Sequence, residues 1–329
     1  MERDGPFFRE EISQMMHVAG EEAYKSYEIT GLVEKIIKDQ VRLILVEANS
    51  LAVRRGSRVF SNDDLIFQFR HDTIRVERMR RLIIWKAIRK ANKASEDDKA
   101  GSDAVEECGS LDDLAGGSTE KMSTKESKTP NVHFTWEFPS LFPNGLPESL
   151  FEEDTPDELN EAIIERLRKN DDKTSDMTAE EYAAWTTFRR ASFIYRKADR
   201  FREWSGLGVI AEHRPNDDSL DLLGFLACEM VKRLTEKALN IQAEEIAKTK
   251  RDLNVSAAAA AETMASQGPF LPSQESTRPI VPGQPGYSKP AIESRHIKLA
   301  FNIFQIPSKR SNILSSGPQS QLVKKLRLI

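Results

Sequence analysis

Cysteine is scarce in this sequence. The two cysteines, Cys108 and Cys228, fall in an acidic Gly/Ser-rich stretch and in an apolar helical pattern, and neither has a Cys-x-x-Cys partner. This argues against a disulfide framework and indicates a reducing compartment. Long apolar runs are lacking too, since none approaches the roughly 20 residues needed to span a bilayer. The first nine residues have no signal-peptide core. We therefore expect a soluble intracellular protein that does not enter a membrane.

An excess of charge of either sign is also missing. There are 48 basic and 52 acidic residues, a formal net charge of -4 and a sequence pI of about 5.9. A protein that holds duplex DNA mainly by neutralising phosphates is usually basic. The composition therefore predicts that direct DNA binding is weak or absent.

Catalytic and cofactor motifs are missing as well. The five histidines are scattered without H-E-x-x-H or zinc-ligand spacing, and no G-x-x-x-x-G-K-[ST], G-x-S-x-G or G-x-G-x-x-G motif is present. The sequence predicts no enzyme activity, no metal and no cofactor.

What the sequence does contain is helical periodicity. The first half predicts a short helix ending at Gly20, a long helix over 29–55 ended by Gly56, and a third helix capped by Ser61 with Asp64 in a capping-box position. A basic helix over 74–93 follows. Apolar side chains recur at three- and four-residue steps along the long helix: Val33, Ile36, Ile37, Val41, Ile44, Ala48, Leu51 and Ala52.

The later half repeats this plan. A capped helix running from Thr178 to Trp204 precedes a second long helix over 219–250 and a short last helix. Polar and small residues dominate two inserts, which we expect to be disordered. The predicted divisions are 7–93 for the first unit, 94–130 for a disordered acidic linker, 131–177 for an aromatic patch and connecting helix, 178–306 for the second unit with a disordered insert at 256–290, and 307–329 for a flexible tail.

Neither unit can bury both faces of its long helix alone. Each large apolar side chain left exposed forfeits about 1.5–3 kcal/mol, so an unpaired unit would be unstable in water. Pairing within the chain is favoured, because a flexible linker supplies an effective concentration on the order of mM. A swapped dimer is the structural alternative.

Specific motifs carry a resemblance to known families. The stretches "SQMMHVAGE" and "RVFSNDDLIFQFRHD" resemble the histone fold of the TFIID eighteen-kilodalton subunit family. The later motif "SFIYRKADRFREW", followed by a long helix and a separated last helix, is similar to the suppressor-of-Ty histone-fold subunits of the SAGA coactivator. The resemblance implies an all-α fold in which two histone folds in one chain form an intramolecular pair.

The resemblance also implies function. Members of that family engage TATA-binding protein, so we expect a nuclear, non-enzymatic SAGA-type scaffold that helps to deliver TATA-binding protein to RNA polymerase II promoters. A histone-fold protein that binds duplex DNA directly is the alternative. Histone folds pair a loop arginine with an acid of the third helix, which implies a clamp between Arg58 and Asp64. His296 occupies the acid's place in the second fold, so a matching clamp is not expected there.

Two charged surfaces are candidate partner sites. The basic helix offers Arg75, Arg78, Arg81 and Arg89 to an acidic protein, to DNA phosphates or to a membrane surface, although it also fits a solvated face. The late second long helix offers the acids Glu236, Glu244 and Glu245 to a basic surface of TATA-binding protein, although ordinary solvated charge explains them too. The aromatic patch around Trp136 either docks on another subunit or packs on its own fold.

Overall fold

The computed structural model describes residues 7–21, 26–96, 132–137, 157–211, 217–265, 290–306 and 328–329, with the backbone alone for 91–96, 157–160 and 253–265. Within these ranges every regular element is a helix. None of these helices is both long and apolar enough to cross a membrane. The helices are α1 Arg9–Val18, α2 Tyr27–Arg54, α3 Asn62–Ile66, α4 Thr73–Glu96, α5 Asp157–Thr174, α6 Ala179–Arg189, α7 Ala198–Ser205, α8 Leu207–Ile210, α9 Asp217–Ala265 and α10 Ser294–Gln305.

The first half follows the predicted order of short, long and short helices. Ser26 begins α2 by accepting a hydrogen bond from the Ile29 backbone N–H at 3.3 Å. The capping box predicted for Ser61 and Asp64 is confirmed at the start of α3. Gly20 follows α1 with a φ of +109° and lies against Leu239 of α9. Glycine adopts this conformation without the steric penalty of a Cβ, so the chain can turn closely against the second half.

The single helix predicted from Thr178 to Trp204 is wrong. The capping box at Thr178 is confirmed, but α6 ends at Arg189 and α7 begins at Ala198. Between them the Ser192 hydroxyl accepts hydrogen bonds from the backbone N–H groups of Ile194, at 3.2 Å, and Tyr195, at 3.3 Å. A serine side chain that bonds to nearby backbone competes with helical hydrogen bonding and favours a turn.

The second long helix is longer than predicted. It runs to Ala265, so the expected disordered insert at 256–290 is wrong for 256–265; residues 266–289 lie outside the described ranges. This added segment contains a run of five alanines, and alanine has the highest intrinsic helix propensity. The disordered linker predicted for 94–130 likewise begins within α4, and 97–130 falls outside the described residues.

The two halves pack against each other around one core. Helix α9 lies against α1, α2 and α3, and α10 packs on α9 and α2, so each half covers the long helix of the other. Phe8 meets three aromatic rings of the second half edge to face, with ring centroids 5.1 Å away for Phe193, 6.3 Å for Phe201 and 5.4 Å for Trp204. The predicted all-α pair of histone folds within one chain is confirmed.

A buried carboxylate holds this junction together. Glu34 of α2 is 5% exposed. Its Oε1 accepts hydrogen bonds from the Phe7 backbone N–H at 2.7 Å and from Trp204 Nε1 at 2.9 Å, and its Oε2 accepts one from the Phe8 backbone N–H at 3.2 Å. A carboxylate can be buried when strong donors replace the lost water. Glu34 thus joins the N-terminal segment, α2 and α7 at one point.

The last residue of the chain is also anchored. Ile329 is 2% exposed; its backbone N–H donates to Gln40 Oε1 at 3.0 Å, and its carbonyl oxygen accepts from Arg75 Nη1 at 2.9 Å. The flexible tail predicted for 307–329 is therefore wrong at its final residue, because an apolar side chain at that position fills space between α2 and α4. Residues 307–327 lie outside the described ranges.

Candidate partner-binding surfaces

The loop-to-helix clamp of the first fold uses a different arginine from the one predicted. Arg55 Nη2 lies 2.7 Å from Asp64 Oδ2, whereas Arg58 is exposed in the loop. Helix α2 ends at Arg54, so Arg55 sits at its C-cap beside the first turn of α3, and Arg58 comes three residues too late. The hydrogen bond to Asp64 raises the pKa of Arg55, although burial opposes the shift.

The second fold has a corresponding link, formed by His296. The Nδ1 atom of His296 accepts a hydrogen bond from the Glu293 backbone N–H at 3.0 Å, and its Nε2 lies 3.1 Å from Glu245 Oε2. Asp64 has the same double role in the first fold, capping its own helix and pairing with the end of the long helix. In the second fold the acid lies on the long helix and the basic group on the short one.

Glu245 is therefore part of the fold. Besides His296 it binds Arg295, whose Nη2 lies 3.1 Å from Glu245 Oε2. We withdraw Glu245 from the predicted partner surface, because its carboxylate already joins α9 to α10.

Two of the predicted partner arginines also form ion pairs within the chain. Arg75 is 5% exposed and pairs with Asp72 at 3.4 Å as well as with the Ile329 carbonyl. Arg78 forms an ion pair with Glu229 of α9 and lies over the ring of Phe225. Arg75 thus faces the residues before α4 and the backbone of Ile329, and Arg78 faces α9. Partner binding by these two arginines stays a prediction.

Lys86 extends the contact between α4 and α9. It pairs with Asp218, at 2.6 Å, and with Asp221 at the start of α9. Burial alone would lower the pKa of Lys86, but the hydrogen bonds and charges of both aspartates outweigh it and raise that pKa. Much of the basic charge of α4 is thus neutralised within the molecule.

Four predicted residues remain available to a partner. Arg81 contacts Glu77 one turn earlier, at 3.3 Å, and is one-third exposed, while Arg89 is exposed. Glu236 and Glu244 are exposed on α9, eight residues apart, which places them about 12 Å apart along the helix axis. Helix α4 brings the arginines near the beginning of α9, and the two acids lie well beyond them along the same helix.

The described part of the aromatic patch packs on its own fold. Phe134 is 1% exposed, and its ring stacks on Trp136 with centroids 4.9 Å apart. Trp136 meets Phe67 edge to face at 5.3 Å, and Glu137 pairs with Arg80. Phe138 and Phe142 lie outside the described residues. For 132–137 the packing interpretation replaces the docking one.

Sequence reasoning missed Arg55, Glu34 and Glu229. The end of α2 was the feature that could have identified Arg55. Because the helix was predicted to end at 55, one residue too late, Arg55 was assigned to the helix and not to the position that caps it. Glu34 and Glu229 look like ordinary helix-surface acids in the sequence, and only their tertiary partners distinguish them. Among the described residues, no three His, Cys, Asp or Glu side chains are grouped as a metal site requires.

Comparison with known proteins gives consistent matches. Residues 6–98 match the family model described as Transcription initiation factor IID, 18kD subunit. The chain is 41% identical over 237 residues to SAGA complex subunit Spt3 of Schizosaccharomyces pombe, covering 71% of this chain and 73% of that protein. It is 38% identical over 264 residues to SAGA complex subunit SPT3 of Saccharomyces cerevisiae, with 74% and 77% covered. Protein SPT3 of Kluyveromyces lactis is 35% identical over 245 residues, with 71% and 75% covered.

Proposed function

The chain belongs to the Spt3 family of transcription coactivator subunits, and from this premise we propose that it is a nuclear, non-enzymatic subunit of a SAGA-type complex. In that complex it binds TATA-binding protein and assists its delivery to RNA polymerase II promoters. The observation that carries this proposal is the similarity of 35–41% identity over 71–74% of the chain, because alignments of that length draw on both paired folds.

The fold supports a scaffold role. Two histone folds that cover each other's long helices form one body, and its charged helix surfaces face solvent at α5, late α9 and the end of α4. A single packed body of this kind presents several surfaces to neighbouring subunits at once, which is what an interaction subunit requires.

Glu236 and Glu244 are the proposed contact to TATA-binding protein. Both are exposed and acidic, and TATA-binding protein has basic surfaces outside its DNA-binding saddle. Charge complementarity across an interface directs association and fixes its register. Arg81 and Arg89 are proposed contacts to other subunits, since they lie on α4 away from the two acids.

Membership of the complex is tested by purifying the tagged full chain from nuclear extract. We expect SAGA-type coactivator subunits to copurify with it, as identified by mass spectrometry. Recovery of the chain without any such subunit contradicts the proposal.

The contact residues are tested by charge reversal. We expect Glu236→Lys with Glu244→Lys to reduce capture of purified TATA-binding protein by about tenfold, as expected when complementary charges become like charges. The matched control reverses the exposed acids Glu161 and Asp171 of α5 and should leave capture unchanged. Equal capture by both double variants would remove Glu236 and Glu244 from the interface while leaving membership of the complex untouched.

Direct duplex binding is the other function to measure. Arg75, Arg78 and Lys86 contact carboxylates or backbone within the molecule, which leaves α4 with less charge for phosphates. We therefore expect the purified chain to shift duplex DNA only weakly at physiological salt. Tight, salt-sensitive binding in a mobility-shift assay would favour the DNA-binding alternative.

A further inference from the structure

An apolar groove of about 280 Å³ lies between α4 and the turn that follows α6, with α9 as its floor. Leu82 and Trp85 of α4 form one wall, Phe188 and Ile194 form the other, and Phe225 lies in the floor. The lining residues of α9 extend from Asp221 to Lys232, a length of about 16 Å or three helical turns. The groove is therefore as long as a short docked helix.

A glycine shapes this groove. A Cβ built on Gly224 of α9 would lie 2.1 Å from Ile194 Cδ1, closer than atoms can approach. The absence of a side chain at residue 224 allows the turn after α6 to seat Ile194 against the floor. The wall is thus fixed by close packing, which gives a partner a preformed surface.

The rim of the groove is basic although the chain is acidic overall. Six basic and two acidic side chains line the groove, a formal net charge of +4, against -4 for the whole chain. Arg78 and Lys86 pair with the two acids, Glu229 and Asp221. The basic lining residues are Arg78, Lys86, Arg89, Arg189, Arg190 and Lys232.

We propose that this groove docks an acidic amphipathic helix of another protein. Its floor takes apolar side chains at positions i, i+4 and i+7, and its basic rim contacts acidic residues on the flanks of the helix. Trp85, which is 38% exposed, is the large apolar side chain best placed to gain burial. This site differs in position and sign from the proposed contact at Glu236 and Glu244, so either one can fail without the other.

The two cysteines of the chain provide the assay. Cys228 lines the groove and is partly exposed, whereas Cys108 lies outside the described residues and serves as an internal reference. The probe is a synthetic acidic peptide of about 12 residues, long enough for three turns, with leucines at i, i+4 and i+7 and glutamates on both flanks. Alkylation of each cysteine in the folded full chain is followed by mass spectrometry.

At saturating peptide we expect alkylation of Cys228 to slow by about fivefold while that of Cys108 is unchanged, because a covered thiol reacts slowly. A peptide with lysines in place of the glutamates should give no protection. Raising the salt concentration should weaken binding of the acidic peptide, since the rim charges are exposed and screened.

Arg89→Glu tests the rim without touching the core. Arg89 is exposed, so we expect an unchanged melting temperature and a roughly tenfold weaker peptide affinity. Lys35→Glu on α2 is the matched control, because it makes the same charge change on an exposed residue outside the groove and should leave affinity unchanged.

Two results would overturn the proposal. The first is equal protection of Cys228 by the acidic and basic peptides, or protection by neither. The second concerns the segment 103–114, which contains five acidic residues and no basic one. If replacing the five acidic residues of 103–114 by serine, which keeps Cys108 as the reference, speeds alkylation of Cys228, and the peptide protects only this variant, the occupant is this segment and not a partner helix.

Discussion

Glu34→Gln replaces one oxygen by an NH₂ group at the point where the two halves meet. In the native protein the carboxylate accepts three hydrogen bonds, from Phe7, Phe8 and Trp204. A glutamine side chain has one acceptor oxygen and a donating NH₂ group. Whichever way the amide is turned, its NH₂ faces a backbone or indole N–H, and at least one donor loses its acceptor.

The stability lost in Glu34→Gln follows from the burial of this side chain. Glu34 is 5% exposed, so water cannot replace the lost acceptor. Loss of the charge-assisted bonds and one unsatisfied buried donor together cost about 2–3 kcal/mol. For a folded unit of 150–250 residues, each kcal/mol moves the melting temperature by about 2–4 °C, so we expect a decrease of roughly 5–10 °C.

Thermal unfolding measured by far-ultraviolet circular dichroism and by tryptophan fluorescence tests this prediction. The two signals should fall together in the variant, because the perturbed group belongs to both halves. Glu236→Gln makes the same chemical change on an exposed residue of α9 and should move the melting temperature by less than about 1 °C. Equal shifts in the two variants would show that the Glu34 bonds contribute nothing beyond a surface carboxylate.

Two further predictions concern ion pairs. Arg55→Ala should lower the free energy of unfolding by about 1 kcal/mol, a modest value because Arg55 is half exposed, whereas Arg58→Ala should leave it unchanged. Urea denaturation of the two variants measures both values. A larger loss for Arg58→Ala than for Arg55→Ala would restore the clamp between Arg58 and Asp64 that the sequence predicted. Burial raises the pKa of Asp72 although Arg233 and Arg78 oppose the shift. Because the raised pKa means that the native state binds the proton of this carboxyl more tightly than the unfolded state does, protonation of Asp72 stabilises the native state. This stabilisation is complete at low pH and is lost as pH rises through the native pKa. In Asp72→Asn the side-chain oxygen can still accept the hydrogen bond from the Arg75 backbone N–H, while the unfavourable buried charge is gone. We therefore expect the variant to have a higher free energy of unfolding than the native chain at neutral pH, and the same free energy in acid. A difference in the free energy of unfolding that stays constant across this pH range would contradict a raised pKa for Asp72.

Local sequence signals predicted the helices well where side chain and backbone interact over a few residues. The capping boxes at Ser61 and Thr178 are examples, since cap and third residue are near neighbours in the chain. The apolar stripe of α2 likewise predicted the face that α9 covers. The pair of folds followed because each stripe was too wide for one unit to bury.

At the wrongly predicted positions, the structure depends on tertiary contacts that override local preferences and that a sequence pattern does not show. Ser192 is compatible with a helix by composition, but its hydroxyl accepts a hydrogen bond from the backbone N–H of Ile194, whose side chain lies against Gly224 of the distant helix α9. The basic stripe of α4 looked like a solvated or partner-binding face because its acidic partners lie about 150 residues later. Arg78 and Glu229, for example, are separated by 151 residues. Whether such charges face solvent or each other is decided by packing.

The bond between Glu34 and Trp204 spans 170 residues of sequence, which has a consequence for synthesis. At a translation rate of about 5–20 residues per second, the ribosome needs roughly 10–30 s to proceed from one to the other. During that interval α2 is completed, but the aromatic rings that cover Phe8 have not yet been made. The nascent first half therefore exposes the apolar surface around Phe8 for many seconds before the residues that cover it are synthesised.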